Sequence, residues 1–255
     1  MDPHYPLLIL DIGNTDTTFA WHDGQQWTAQ WRIPSRDDGL LEEKLDHNVA
    51  NKGLDLKTAG QVLISSVVPH LTPSWEQLLA EKADCKISKV GPALYQKLPI
   101  EVPSPDTIGT DLVANALAAH IRFKQSCIVV DFGTALTFTA LDGVGNILGV
   151  AIAPGLKTAM YALFQKAAQL PEVPLIVPDS ALGQNTTHAL QAGILLGYEG
   201  LVKGMLDKIK TELGKPTRVI ATGGLSSVIE SLQTVFDELD RDLTLEGLRL
   251  MAGYC

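Results

Sequence analysis

Two short segments of one design, their aspartates 120 residues apart, constrain this chain more than any other feature. The first is LLILDIGNTDTTFAW, from Leu7 to Trp21, and the second is CIVVDFGTALTFTAL, from Cys127 to Leu141. Each has an apolar run ending in aspartate, then a glycine, a few small polar residues and a second apolar run. That pattern predicts a β-hairpin whose tip carries Asp-x-Gly and hydroxyl side chains. Laying Asp11 on Asp131 also lays Gly13 on Gly133, Thr17 on Thr137 and Ala20 on Ala140. One such tip is explained by turn chemistry alone, because Asp, Gly and Asn favour turns. Two, each leading a strand-rich half, point to an internally repeated architecture.

Such a tip suits phosphate. Glycine lets backbone N–H groups turn toward an anion, and Thr and Asn add side-chain donors. The aspartate repels phosphate directly but can hold a cation that bridges to it. Two facing tips would grip a nucleoside triphosphate between two similar halves.

The rest of the chain reads as alternating strands and helices, which predicts an α/β class. Strands are expected at Leu7–Asp11, Thr17–Trp21, Trp27–Ile33, Gln61–Ser65 and Lys86–Val90. A second set is expected at Cys127–Asp131, Leu136–Leu141, Ile147–Ala153 and Val219–Ala221. Helical spacing marks Gly39–Val49, the end of SVVPHLTPSWEQLLAEK, Thr110–Phe123, Leu156–Ala168 and a long stretch from Asn185 to Leu213. A further helix is expected after Gly223-Gly224. A composition change near Lys124–Ser126 divides the chain into residues 1–122 and 123–255.

The formal net charge of −9 and the lack of a Lys/Arg-rich run argue against nucleic acid or an anionic membrane as partner. Cys85, Cys127 and Cys255 are widely spaced and suggest neither a disulfide framework nor a zinc site. Asp2 and His4 stand where a signal peptide has a basic start, and no run reaches the roughly 18 apolar residues of a membrane span. A cytoplasmic location is expected. His70, His120 and His188 share no ligand spacing and are read as structural or solvent-facing.

With these segments in view, the chain resembles the superfamily of actin, heat-shock chaperones and sugar kinases, and more narrowly the type III pantothenate kinases. The matching segments are DIGNTDTT (Asp11–Thr18), SSVVP (Ser65–Pro69), IGTDLVANALAA (Ile108–Ala119), VVDFGTALT (Val129–Thr137), APGL (Ala153–Leu156), LGQNTTHALQAGILLGYEGLV (Leu182–Val202) and VIATGGL (Val219–Leu225). They occur in the family's order over nearly the whole chain. The resemblance implies two actin-like (ribonuclease H-like) halves with ATP in the cleft between them. It implies ATP-dependent phosphorylation of the primary hydroxyl of pantothenate, the first step toward coenzyme A. It also implies Mg²⁺, a monovalent cation (K⁺ or NH₄⁺) and a homodimer, with the helix containing GYEGLVKG as a contact.

Residue by residue, Asp11, Ile12, Gly13, Asn14, Thr15, Asp16, Thr17 and Thr18 match the family's first phosphate loop, with Asp11 on the metal side. Gly133 and Thr134 match the second loop, and Asp131 matches the monovalent-cation ligand. Gly109, Thr110, Asp111 and Leu112 fall on the substrate loop, with Asp111 at the catalytic base. Thr186 matches a pantothenate contact, and Gly223 and Gly224 match the adenosine-side turn. Plain structural roles exist for several of these. Asp111 suits a helix N-cap, worth about 0.5–2 kcal/mol, and Asn185 and Thr186 suit the start of the long helix.

Two positions depart from the pattern. Leu112 stands where the family has arginine directly after the base, and Val102 stands where it has tyrosine seven residues before Gly109. Both missing groups would help hold pantothenate, and an Arg–carboxylate pair is bidentate and hard to replace. Tyr95, Lys97 and Arg122 are nearby in sequence and are candidates to compensate. Three readings follow: a working pantothenate kinase with a rearranged acceptor site, a kinase for a related, less acidic alcohol, or a nucleotide-binding member that transfers poorly. Retention of Asp11, Asp111 and Asp131 favours an enzyme.

Overall fold

The computed structural model describes residues 5–36, 38–166 and 170–255. Two compact units emerge: Met1–Ala118 with Thr244–Cys255, and Ala119–Leu243.

The first unit opens with β1 (Leu7–Ile12), β2 (Asp16–His22) and β3 (Trp27–Pro34). Helix α1 (Leu41–Asn51), strand β4 (Gln61–Ser66), helix α2 (Thr72–Lys82), strand β5 (Lys86–Lys89) and the short α3 (Pro92–Tyr95) follow, and α4 (Thr110–Phe123) begins within the unit. The sheet order is β3-β2-β1-β4-β5. The first two pairings are antiparallel, and β1–β4 and β4–β5 are parallel. Because side chains alternate across a strand, β1 has two faces. Leu8, Leu10 and Ile12 enter a core with Phe19, Trp31, Leu45 and Trp75. Phe19 stacks on Trp31 at 5.0 Å between ring centroids. Asp11 therefore lies on the opposite face, with Leu7 and Ile9.

The second unit repeats this plan. Strands β6 (Cys127–Phe132), β7 (Ala135–Leu141) and β8 (Ile147–Pro154) form the antiparallel part. Helix α5 (Leu156–Lys166) follows, and then a continuous helical run: α6 (Thr186–Gln191), a π-helical segment Ala192–Leu196 and α7 (Gly197–Leu213). Strands β9 (Arg218–Thr222) and β10 (Glu238–Leu239) complete the order β10-β9-β6-β7-β8, with β6–β9 and β9–β10 parallel. Ile128, Val130 and Phe132 face a core with Phe138, Met160, Leu195, Tyr198, Val202 and Val219. Asp131 is on the other face. The last helix, α8 (Leu243–Ala252), belongs from Thr244 onward to the first unit, whereas the sequence division placed it in the second half. Its Thr244 hydroxyl donates to Asn115 Oδ1 at 2.8 Å, and Gly247 lies so close to the Ala114 backbone that no Cβ would fit.

Some expectations need correction. The two tips are not equal in length: Ile12 pairs with Thr17 across a four-residue loop, but Phe132 pairs with Leu136 across three. In the sheets, Thr137 therefore corresponds to Thr18 rather than Thr17, since these are the partners of Asp131 and Asp11. No α-helix directly follows Gly223-Gly224; turns lead to a 3-10 helix, Glu230–Val235, and the next α-helix is α8. The helix expected over Leu156–Ala168 reaches Lys166, while Ala167 and Ala168 lie outside the described residues, as do Asp2 and His4. His70 lies in an exposed turn.

Candidate active site

In the first unit the tip is a tight hairpin closed by Gly13 N–H donating to Asp16 O at 3.1 Å. Asn14 and Thr15 are exposed, and Asp11, Gly13, Asp16 and Thr18 are half-buried. Ile12 and Thr17 face inward. Ile12 is a core residue, and the fully buried Thr17 hydroxyl bonds Ser35 Oγ at 2.9 Å. Any contact that Ile12 makes with a ligand is through its backbone. Ser35 holds the tip from behind as well, its N–H donating to Thr15 O at 2.8 Å.

The second tip is built alike. Gly133 N–H donates to Ala135 O at 3.1 Å, and Gly155 N–H donates to Thr134 O at 3.0 Å. In both units the residue after a strand ending in proline, Pro34 or Pro154, clamps the tip carbonyl. Thr158 Oγ1 adds a bond to Thr134 O at 2.7 Å, and Gly155 has no space for a Cβ against Gly133 and Thr134. Gly223 turns the chain after β9 at φ +89, where L side chains are strained. A Cβ there would meet Phe132 backbone at 2.8 Å and the Asp131 carboxylate. Asp131, Gly133, Thr134 and Gly223 thus form one locality, with exposed Gly224 following in the same turn. Thr186 is exposed in the first turn of α6, whose cap is Asn185 Oδ1 accepting His188 N–H at 2.9 Å.

The start of α4, where the substrate loop is expected, meets the first tip through hydroxyls. Asp11 pairs in the sheet with Ser65 of β4. Ser65 Oγ donates to Asp11 Oδ1 at 2.8 Å and lies 2.9 Å from Thr110 Oγ1. A serine has one proton. With that proton donated to Asp11, Thr110 must be the donor to Ser65. The chain Thr110→Ser65→Asp11 is buried at Ser65 and Thr110, and it ties the start of α4 to the phosphate-type tip. Ser65 was quoted in the SSVVP segment without a role. Its partners are 54 and 45 residues away, so sequence spacing could not reveal it.

Asp111 follows Thr110 in the first turn of α4. It is not a conventional cap: its Oδ1 accepts the N–H of the next residue, Leu112, at 2.9 Å. Gly109 leaves the carboxylate its room, since a Cβ there would collide with Asp111 Oδ1. Burial pushes the Asp111 carboxyl above its ordinary value, opposed by backbone hydrogen bonds from Leu112 and from Asp111 itself. Leu112 is 7% exposed, so the position that lacks the arginine is packed with hydrocarbon. Tyr95 is buried, and its hydroxyl is pushed up to about 12, first by burial and then by the Asp111 charge. Of the three compensating candidates, Tyr95 therefore shares the Asp111 environment. Lys97 is exposed, and Arg122 is engaged in the second unit with Glu238 at 2.6 Å and Asp240 at 2.7 Å.

The family profile of type III pantothenate kinase matches residues 7–208. The chain belongs to that family. A type III pantothenate kinase of Treponema pallidum (strain Nichols) is 46% identical over 255 residues, 96% of this chain and 93% of the relative. Those of Anaeromyxobacter sp. (strain K) and Myxococcus xanthus are 40% and 37% identical, each aligned over 98% of its own length and over 96% and 97% of this chain. Among solved structures, MreB5 of Spiroplasma citri bound to AMPPNP superposes with TM-score 0.55 at 12% identity, covering 98% of this chain and 96% of that one. The ethanolamine utilization protein EutJ of Carboxydothermus hydrogenoformans gives TM-score 0.51 at 14% identity, covering 96% and 89%. These two likenesses establish the fold: α/β of the actin-like type, with two five-stranded mixed sheets.

Proposed function

We propose that the chain transfers the γ-phosphoryl group of ATP to the primary hydroxyl of pantothenate. The observation that carries the reading is the Thr110→Ser65→Asp11 chain, which fixes the loop bearing Asp111 to a phosphate-type tip. Asp111 takes the proton of the attacking hydroxyl. The pantothenate oxygen bonds the γ-phosphorus, the bond from that phosphorus to the β,γ-bridging oxygen breaks, and ADP leaves. Positioning and charge neutralisation dominate phosphoryl transfer, so a carboxylate suffices as base. The raised proton affinity of Asp111 moves it toward the working pH, which favours general-base action.

Asp11–Thr18 and Gly133–Thr134 act on the phosphates through backbone N–H groups and hydroxyls, and Gly223–Gly224 act on the adenosine side. Gly109–Leu112 and Thr186 act on the acceptor. Asp11 is the residue to hold Mg²⁺. A half-buried carboxylate at an open tip suits an ion that keeps waters and takes its other oxygens from phosphates. When bound, that ion neutralises phosphate charge. Asp131 is the ligand for a monovalent cation. In this reading, residues 1–122 carry the first phosphate loop and the substrate loop, and residues 123–255 carry the second phosphate loop and the dimer contact.

A homodimer is part of the same reading. The apolar residues Tyr198, Val202 and Leu206 of α7 are buried in their own core, whereas Gly193, Gly197, Gly200 and Gly204 are exposed and a Cβ on any of them would meet nothing. Edge strand β8 also leaves Leu148, Val150 and Ile152 exposed. Among the described residues no helix is long and apolar enough to cross a membrane. A cytoplasmic location is part of the same proposed reading.

The test is ATP consumption with pantothenate, with and without K⁺, against a panel of related alcohols that includes pantothenol. Pantothenate-dependent ADP release is expected. No release with pantothenate, or faster turnover of an uncharged alcohol, would overturn the assignment of the acceptor.

A further inference from the structure

The two aspartates sit in equivalent rows of the two sheets, but the rows are completed differently. On one face of the first sheet, Asp11 is flanked by Thr18 of β2 and Ser65 of β4. There the β4 hydroxyl is used internally, between the Asp11 carboxylate and Thr110. On the matching face of the second sheet, Asp131 is flanked by Thr137 of β7 and Thr222 of β9. Thr137 is 8% exposed and Thr222 0%, yet neither Thr137 Oγ1 nor Thr222 Oγ1 has a hydrogen-bond partner in the protein. Paired residues on neighbouring strands present their side chains to the same face, so both threonines flank Asp131 there.

Buried hydroxyls in native proteins are satisfied, and an unsatisfied one calls for an explanation. Two of them around one carboxylate mark a place where oxygen lone pairs have a guest to face. The charge of this set is −1, which a monovalent cation neutralises.

We infer that Thr137 and Thr222 complete, with Asp131, the oxygen set for a monovalent cation at the second tip. The inference rests on the reading of Asp131 as cation ligand given above. It assigns these two threonines a role, and it explains why this row, and not the one around Asp11, keeps two unused buried hydroxyls.

The experiment measures thermal unfolding with saturating Mg²⁺ and a non-hydrolysable ATP analogue, titrating KCl against choline chloride at constant ionic strength. Tl⁺ binding serves as a direct second readout. The proteins are the parent, Asp131→Ala, Thr137→Val, Thr222→Val, Thr222→Ser and, as a control on the same face one pair away, Thr139→Val. The parent should show saturable K⁺ stabilisation that Asp131→Ala abolishes. Each valine variant at 137 and 222 should fold as well as the parent without K⁺, because only an unpartnered hydroxyl is removed. Each should need about 10-fold more K⁺ for half-saturation. Thr222→Ser and Thr139→Val should behave like the parent. If Asp131→Ala abolishes the response while both valine variants keep the parent curve, the threonine assignment is overturned and the Asp131 reading stands. If the parent shows no K⁺-specific stabilisation, or Asp131→Ala retains it, the Asp131 reading fails and the proposal fails with it.

Discussion

Removing one oxygen atom, Oγ of Ser65, should weaken both the fold of the first unit and its chemistry. Ser65→Ala deletes the donor to Asp11 at 2.8 Å and leaves the buried Thr110 hydroxyl without its acceptor at 2.9 Å. A hydrogen bond to a charged group contributes about 1.5–3 kcal/mol and a neutral one about 0.5–1.5. Asp11 is only half-buried, so water replaces part of the first term. The expected loss is about 2–3 kcal/mol, which lowers Tm by roughly 4–12 °C at this size. Because both the Asp11 carboxylate and the start of α4 lose their tie, kcat should fall on the order of 10–100-fold, the scale of a small misplacement of reacting groups. Stability is read by urea unfolding and kcat by ADP release. A double-mutant cycle with Thr110→Val isolates the Ser65–Thr110 bond and should give a coupling of about 0.5–1.5 kcal/mol. Stability within about 0.5 kcal/mol of the parent, unchanged kcat and zero coupling would together refute the hydrogen-bonded tie.

Asp111→Asn should cut kcat by about 10²-fold or more while ATP binding persists, measured by steady-state kinetics and nucleotide titration. The same variant should unfold at a higher temperature than the parent near neutral pH. Burial raises the folded-state pKa of Asp111 above 3.8, so the ionised form is the destabilised one; the advantage should shrink as pH falls through the raised pKa and vanish below the ordinary value. Gly223→Ala places a Cβ at φ +89 within 2.8 Å of Phe132 backbone and should cost about 2–4 kcal/mol in unfolding experiments. Leu112→Arg combined with Val102→Tyr should lower KM for pantothenate and leave that for ATP alone. A parent that already binds pantothenate tightly and discriminates strongly against pantothenol would show that another group holds the acceptor's carboxylate.

The hairpins were legible because burial on one or both faces of a strand leaves its trace in the order of apolar residues, and because Asp-x-Gly tips have few uses. The one-residue difference between the tips was not legible. Pairing Thr17 with Thr137 keeps the letters aligned, and only the sheet register shows Thr18 as the partner of Asp11. The clamps by Ser35 and Gly155 were hidden because they act through backbone N–H groups, which any residue but proline supplies. The return of α8 to the first unit depends on Gly247 meeting Ala114 and Thr244 meeting Asn115, contacts that span well over 100 residues. The helix expected after Gly224 failed because residues 225–229 continue in turns, with Ser226 Oγ bonding back to Gly223 O at 2.7 Å. Asp111 was singled out as a candidate by its place in a motif, while the hydroxyl chain that anchors its loop required coordinates.

On the proposed roles, leucine rather than arginine at position 112 would bear on more than the acceptor's carboxylate. A guanidinium directly after Asp111 would favour the ionised carboxylate and hold its pKa down, whereas a buried leucine side chain brings no charge to oppose the desolvation that raises it. On the proposed roles, one substitution would weaken the grip on pantothenate and strengthen the base as a proton acceptor. The two effects separate in pH profiles, because kcat reports the group in the bound complex and KM reports the grip. Leu112→Arg alone should move the acid limb of kcat to lower pH, while KM for pantothenate falls. The measurement is kcat against pH at saturating pantothenate for both proteins. An acid limb that stays in place while KM falls would mean that Leu112 belongs to the acceptor site but not to the surroundings that set the proton affinity of Asp111.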